Sequence, residues 1–176
     1  MKTCKGCKKE FEPRRRNGIA ASRCDKCIIA REREKKKKAM QRAKENRKKA
    51  RERKKNSVAT LKKVLDQVFS QYIRQRDKGV CVTCGTKKPW KEQQNGHYVP
   101  RGHNATRFDE RNCNCQCIGC NVFKKGNMDE YTLFMIRKHG VEVLEELNKL
   151  KYKTKQFTSQ ELQEMIDHYK HELTKF

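Results

Sequence analysis

Four Cys-x2-Cys pairs constrain this chain more than any other feature: Cys4 with Cys7, Cys24 with Cys27, Cys81 with Cys84, and Cys117 with Cys120. Each pair fits a tight knuckle that aims two thiolates at one ion, so two pairs together complete a tetrahedral Zn²⁺ site. Disulfides would need an oxidising compartment, and the N-terminal run Met1-Lys2-Thr3-Cys4 opens on no apolar stretch with a cleavage signal. The thiols are therefore expected to be reduced and metal-bound. Metal also has energetic work to do. Only 34% of the 176 residues are apolar and 38% are Asp, Glu, Lys or Arg, too little apolar material for one large core. No apolar run reaches the roughly 18 residues of a membrane-spanning helix, and no membrane partner is expected.

Charge points to the partner. The chain carries 45 Lys and Arg against 21 Asp and Glu, a formal net charge of +24. Such an imbalance favours nucleic acid, because neutralising phosphates releases condensed counterions. The charge is concentrated between Arg31 and Lys55, where 15 Lys or Arg face four Asp or Glu with no Gly or Pro. The remaining residues, among them Ala39, Met40 and Ala43, form no apolar stripe. A solvated helix or arm is expected, acting as a nonspecific DNA clamp through Lys35, Lys36, Lys37, Lys38, Arg47, Lys48 and Lys49.

Helical periodicity returns after the arm. Leu61, Val64, Leu65, Val68, Phe69, Tyr72 and Ile73 recur at steps of three and four, with Ser57 as N-cap and Gly79 as stop. Helices are also expected from Asp129 to His139, from Val141 to Leu150, and from the capping-box sequence Thr158-Ser-Gln-Glu161 to about Leu173. Their stripes are expected to form core or to pair with a second copy of the chain. The organisation predicted is a Cys4 zinc module at 1–30, a basic helix or arm at 31–56, an amphipathic helix at 57–79, a zinc-bracketed core at 80–128 and C-terminal helices at 129–176. The fold class is small, zinc-stabilised α+β.

The central pairs, Cys81/Cys84 and Cys117/Cys120, are separated by 32 residues, too many for a simple zinc-ribbon loop. Gly96-His97-Tyr98-Val99 reads as a strand leaving a glycine turn, and Asn121 follows the last cysteine directly. Cys113 and Cys115 read as free or packing thiols, because the ligand assignment rests on the spacing shared by the other four. Trp90, beside Pro89, reads as loop packing or a base-stacking wedge.

The order Cys-x2-Cys, Gly-His, Asn, Cys-x2-Cys-Asn resembles the HNH, or ββα-metal, nucleases. The longer string is Arg76-Asp77, Cys81-x2-Cys84-Gly85-Thr86, Gly96-His97-Tyr98, Arg107-Phe108-x-Glu110-Arg111-Asn112, Gln116-Cys117-x2-Cys120-Asn121 and Lys125-x-Asn127. It is similar to the phage NinG (Rap) recombination protein family across roughly residues 70 to 173. That resemblance implies a ββα-metal core with flanking helices and a metal-dependent endonuclease in the host-cell cytoplasm. Its substrate would be branched DNA, such as Holliday junctions or D-loops, and it would work as a homodimer alongside other phage recombination proteins.

The resemblance also implies roles for single residues. His97 would be the general base, Asn121 a ligand of Mg²⁺ or Mn²⁺, and Asn112 the middle residue bracing the loop that orients His97. Zinc at Cys81, Cys84, Cys117 and Cys120 would hold the geometry, as it would at Cys4, Cys7, Cys24 and Cys27. Arg101, Arg107, Arg111, Lys124 and Lys125 would grip the DNA backbone. Many relatives carry an acidic metal ligand just before the histidine; here that position is Gly96. The second protein ligand is left among His103, Asp109, Glu110 and a bound water. Two other readings compete: a noncatalytic zinc-dependent DNA-binding accessory protein, and an HNH endonuclease acting on linear duplex.

Overall fold

The computed structural model describes all residues from Met1 to Phe176, which divide into two compact units, Met1–Lys54 and Lys55–Phe176. In the first unit β1 (Lys2–Thr3) pairs antiparallel with β2 (Glu10–Phe11), and β3 (Arg15–Arg16) pairs with β4 (Ile19–Ala20). Residues 15–20 thus form a hairpin. Asn17 and Gly18 both have positive φ, 48° and 76°, as a two-residue turn matching strand twist requires. The helix α1 (Asp25–Lys55) runs 31 residues and buries none of them, as its lack of an apolar stripe predicts. Glu32–Lys35 and Glu34–Lys38 ion pairs on its surface offset part of the like-charge repulsion. α1 starts inside the first Cys4 module, so the arm is a continuation of that module and does not begin after residue 30.

In the second unit α2 (Val58–Arg76) begins at Ser57, whose hydroxyl accepts from the Thr60 N–H. A 3-10 turn (Trp90–Glu92) leads into β5 (Gln94–His97), which pairs antiparallel with β6 (Cys113–Gln116). A π-helical turn (Gly119–Phe123) follows, then α3 (Met128–His139), α4 (Glu142–Lys151) and α5 (Ser159–Leu173). The Thr158–Glu161 capping box forms in both directions. The apolar stripes of α2 and α5 face each other within one chain. Leu61, Leu65, Phe69 and Ile73 pack against Leu162, Ile166 and Tyr169, with Phe108 and Phe157 closing the cluster. Phe69 anchors it, 4.8 Å from Tyr169 and 5.6 Å from Phe108, centroid to centroid. These stripes, considered for dimer contacts from sequence, are therefore spent on the core. A second cluster joins α3 and α4 through Tyr131, Met135, Val143 and Leu147 to Val99. Residues 57–79 and 129–176 thus belong to the same unit as the central motif. No helix is long and apolar enough to cross a membrane.

Arg76 and Asp77 tie the end of α2 to β6. Asp77 Oδ2 accepts from the Cys115 N–H at 2.7 Å, while Arg76 donates to Asp77, to the Cys113 carbonyl at 2.9 Å and to Asn114 Oδ1. The largely buried guanidinium therefore satisfies acceptors that water does not reach. Arg76→Met is expected to lower stability by about 2–4 kcal/mol, the scale of breaking a mostly buried charged network. The measurement is the urea midpoint by circular dichroism on zinc-loaded protein; an unchanged midpoint would show that the brace is dispensable.

Candidate active site

Both predicted thiol clusters assemble. Within each of the sets Cys4/Cys7/Cys24/Cys27 and Cys81/Cys84/Cys117/Cys120, the sulfurs all lie within 4.8 Å of one another. Cys7 and Cys24, and likewise Cys84 and Cys117, stand 3.7 Å apart, sulfur to sulfur. That is far beyond a disulfide bond of about 2.05 Å. It matches the edge of about 3.8 Å of a tetrahedron with Zn–S near 2.3 Å. Burial alone would push the Cys81 thiol up, but the Thr83 hydroxyl and backbone N–H groups at the two knuckles bring it down to about 6. Burial, together with the crowded Cys84 and Cys117 thiols, pushes Cys120 up to about 12. Four such sulfurs ionise together only around a cation. The donor set is all thiolate, which suits zinc, and both sites fit it.

The central knuckles also place the strands. The Val82 N–H donates to the Cys115 carbonyl, fixing the first knuckle against β6, and the second knuckle leads from β6 into the π-helical turn. Asn121 lies on that turn, its backbone N–H bonded to the Cys117 carbonyl at 2.9 Å. Cys113 and Cys115 are buried in β6 as packing residues, and burial holds both thiols well above the ordinary value. They have no thiolate character to support a nucleophilic role.

His97, at the end of β5, and Asn121 line one cleft of about 610 Å³, together with Arg74, Asn95, Arg101 and Lys125. His97 Nε2 lies 3.2 Å from the Arg107 carbonyl. A carbonyl only accepts, so Nε2 carries the hydrogen and Nδ1 is left as the basic nitrogen. Burial lowers the His97 pKa first; the Arg107 hydrogen bond opposes it, the Arg107 and Arg101 charges add to it, and Asp66 on α2 works against them. The ring is therefore neutral at and somewhat below neutral pH. Asn112 is fully buried and grips the loop after His97 at three points. Its Nδ2 donates to the carbonyls of Val99 and Thr106, and its Oδ1 accepts from the Val99 N–H at 2.7 Å. It positions the loop and stays out of the cleft lining.

Asn121 Nδ2 donates to Gln94 Oε1 at 2.6 Å, which leaves Asn121 Oδ1 as an oxygen donor in the cleft. A second amide oxygen there, Asn95 Oδ1, is buried and without a partner. Amide oxygens are donors that Mg²⁺ or Mn²⁺ accepts, but no carboxylate lines the cleft, and Arg74, Arg101 and Lys125 do. The acids considered from sequence are committed elsewhere. Asp109 is paired with Arg111, and Glu110 with Arg76, Tyr72 and Tyr169. His103 Nδ1 meets the Lys151 carbonyl.

The basic residues divide. Arg101 and Lys125 are exposed at the cleft, and Lys124 is exposed beside it. Arg107 makes a two-pronged bond to Asp66 and a third to the Arg101 carbonyl; Arg111 is held by Asp109 and Glu146. In this structure both guanidiniums are engaged in ion pairs that brace the loop. Arg74 had no signal beyond its place on α2. It reaches the cleft wall, bonded to the Ser70, Trp90 and Gln93 carbonyls and stacked 5.2 Å from Trp90. That contact makes Trp90 a packing residue. Tyr131 is a second unforeseen participant: fully buried on α3, it donates to the Gly96 carbonyl at 3.1 Å and fixes β5 at the site.

Two zinc ions per chain are expected by elemental analysis of the purified protein, and Cys117→Ser is expected to lose one of them along with the central fold. Retention of both would overturn the ligand assignment.

A family model described as Bacteriophage Lambda NinG protein matches residues 1–176. Protein ninG of Salmonella phage P22 is 31% identical over 115 residues, covering 63% of this chain and 55% of that protein. Protein ninG of Escherichia phage 933W is 36% identical over 89 residues, covering 48% of this chain and 43% of that protein. Protein ninG of Escherichia phage lambda is 35% identical over 89 residues, covering 48% and 42%. The chain thus spans about half the length of these curated relatives. No solved structure matches. With the family model matched from end to end, the chain belongs to the bacteriophage lambda NinG protein family.

Proposed function

We propose that this chain is a metal-dependent, structure-specific DNA endonuclease of the HNH type, acting on branched intermediates of phage recombination. The observation that carries the reading is the meeting of His97 and Asn121 in one cleft from separate segments, with the His97 tautomer set by the Arg107 carbonyl. The antiparallel β5–β6 pair followed by a helical turn bearing Asn121 is the order a ββα-metal core has.

In this reading His97 Nδ1 takes a proton from a water molecule as its oxygen attacks phosphorus. The bond from phosphorus to the 3′-oxygen breaks, the leaving oxygen takes a proton from solvent, and 5′-phosphate and 3′-hydroxyl ends result. Asn121 Oδ1 would hold a Mg²⁺ or Mn²⁺ ion, which when bound supplies positive charge to the phosphate and leaving oxygens. Arg101, Lys124 and Lys125 hold the backbone at the cleft, and α1 adds sequence-independent attraction. Preference for branches then comes from DNA shape and deformability. Phe123, 77% exposed two residues beyond Asn121, offers an apolar surface for an unstacked base at a branch. Cutting both strands of a symmetric junction calls for two cleft copies, hence a homodimer.

A second reading is favoured by one observation: the cleft around His97 and Asn121 is lined by no Asp or Glu. It makes the chain a DNA-binding recombination accessory that does not cut. The two are separated by incubating wild type and His97→Ala with a four-way junction and a linear duplex of the same sequence, in Mg²⁺, Mn²⁺ or EDTA. Metal-dependent cutting of the junction is expected, lost at least 1,000-fold in His97→Ala with binding intact, at the upper part of the range for a general base (about 10²–10⁴-fold). Because burial lowers the His97 pKa, the rate should rise with pH and level off below the ordinary histidine value of 6.5. Binding without cutting in either metal would establish the accessory reading, and equal cutting of both DNAs a duplex endonuclease.

A further inference from the structure

The chain has one tryptophan, and packing on Arg74 uses only part of it. Trp90 is half-buried and lines a second groove, of about 550 Å³, distinct from the cleft of His97 and Asn121. Phe176, 65% exposed, lines the same groove, as do the exposed Lys78, Lys87 and Lys88. No Asp or Glu is among the lining residues. None of the three lysines is held in an ion pair, in contrast to Arg107 and Arg111.

The backbone builds this cluster. α2 ends with Lys78 and Gly79 at positive φ, 54° and 66°, which turns the chain into the first central knuckle. Beyond Cys84 the chain comes back alongside itself. Val80 bridges Lys87, the Lys88 N–H donates to the Gly79 carbonyl at 3.0 Å, and a Cβ on Gly79 would lie 2.1 Å from the Lys88 carbonyl oxygen. The buried Gln93 amide donates to the same Gly79 carbonyl at 2.7 Å and fastens the loop. Lysines from both sides of the knuckle are thus held together, with Trp90 two residues beyond Lys88. Gathering like charges costs energy that an anion lying among them would offset.

Uncompensated cations around accessible aromatic rings suit an unpaired nucleic-acid strand, whose phosphates follow the cations while its bases stack on the rings. A duplex meets only half of that chemistry, because its bases already stack on one another. We infer that this groove binds single-stranded DNA, with Trp90 and Phe176 stacking bases and Lys78, Lys87 and Lys88 pairing with phosphates. Arg74 lines the cleft and stacks on Trp90, so cleft and groove share a wall. An unpaired strand leaving a branch point held at the cleft therefore has an adjacent groove to enter. That last step rests on the endonuclease reading above; the affinity of the groove for a single strand does not.

Because Trp90 is the one tryptophan, its emission reports on this groove. The test titrates the zinc-loaded full chain with oligothymidylate and with a duplex of equal phosphate number, without added Mg²⁺ or Mn²⁺. Oligothymidylate is expected to quench the emission, and the duplex to quench it less than half as far at saturation. The triple variant Lys78→Ala/Lys87→Ala/Lys88→Ala is expected to keep two zinc ions and to bind oligothymidylate at least tenfold more weakly. Its log-log salt slope should be shallower by about 2, at about 0.7 per phosphate contact on a single strand. By anisotropy of a labelled strand, Trp90→Ala is expected to lose about fivefold or more in affinity, and Trp90→Tyr, which keeps a stacking ring, less than twofold. Should Trp90→Ala fail to fold, the lysine variant decides. Unchanged emission at saturation, equal quenching by the duplex, or wild-type affinity in the folded lysine variant overturns the inference. Tighter binding of oligouridylate than of oligothymidylate assigns the groove to RNA and overturns DNA as its ligand. Quenching without junction cutting sinks the endonuclease reading and leaves the groove standing; cutting without quenching does the reverse.

Discussion

Four sulfurs within 4.8 Å of one another form a stable arrangement only when a cation neutralises them, and in the second unit everything near His97 and Asn121 is anchored to such a group. The first knuckle of the central cluster is bonded to β6 through Val82 and Cys115. The second turns the chain out of β6 and sets the first turn that carries Asn121. A two-stranded sheet of four-residue strands is marginal alone. The cysteine cluster on one side and the α2–α5 core on the other hold this one in place. A zinc ion held by these sulfurs would do the work that apolar surface does in larger domains.

Around that anchor, buried polar groups set the geometry of the cleft. Asn112 closes the loop after His97, Arg76 and Asp77 fasten α2 to β6, and Tyr131 fixes the Gly96 carbonyl. Each donor is matched to an acceptor that water does not reach, so displacing any one strands another. Arg107 shows how a single residue serves both the loop and the histidine. Its guanidinium locks the loop to Asp66, while its own carbonyl holds Nε2 of His97 and leaves Nδ1 basic. A residue that looks from sequence like a phosphate contact therefore acts on the histidine from behind.

Much of this is legible in the sequence. Periodicity and capping signals placed α2, α3, α4 and α5 to within a residue or two, because their stripes and caps are local properties. The cysteine spacing identified both clusters, and the absence of a stripe in α1 matches a helix that buries nothing. The order of Gly-His, Asn and Cys-Asn brought out His97, Asn112 and Asn121. What stayed hidden was pairing. Nothing in the sequence tells that α2 spends its stripe on α5 and not on another chain, that β6 forms around Cys113 and Cys115, or that Arg107 and Arg111 have acidic partners 41 and 35 residues away. Arg74 and Tyr131 were missed for the same reason, since their roles come from where the helices dock. Gln116 is part of the central motif, but only the folded chain shows that its side chain fills the space in front of Gly96.

The proposed function requires that the cleft lined by His97 and Asn121 bind a divalent cation. Paramagnetic broadening tests it most directly. Substoichiometric Mn²⁺ is added to ¹⁵N-labelled, zinc-loaded protein, and amide signals are followed residue by residue. Selective loss of the signals of Gly96, His97, Asn121 and Gly126, with α5 unaffected, is the predicted result. Broadening confined to the acidic surface of the helices, or spread evenly over the chain, would contradict it.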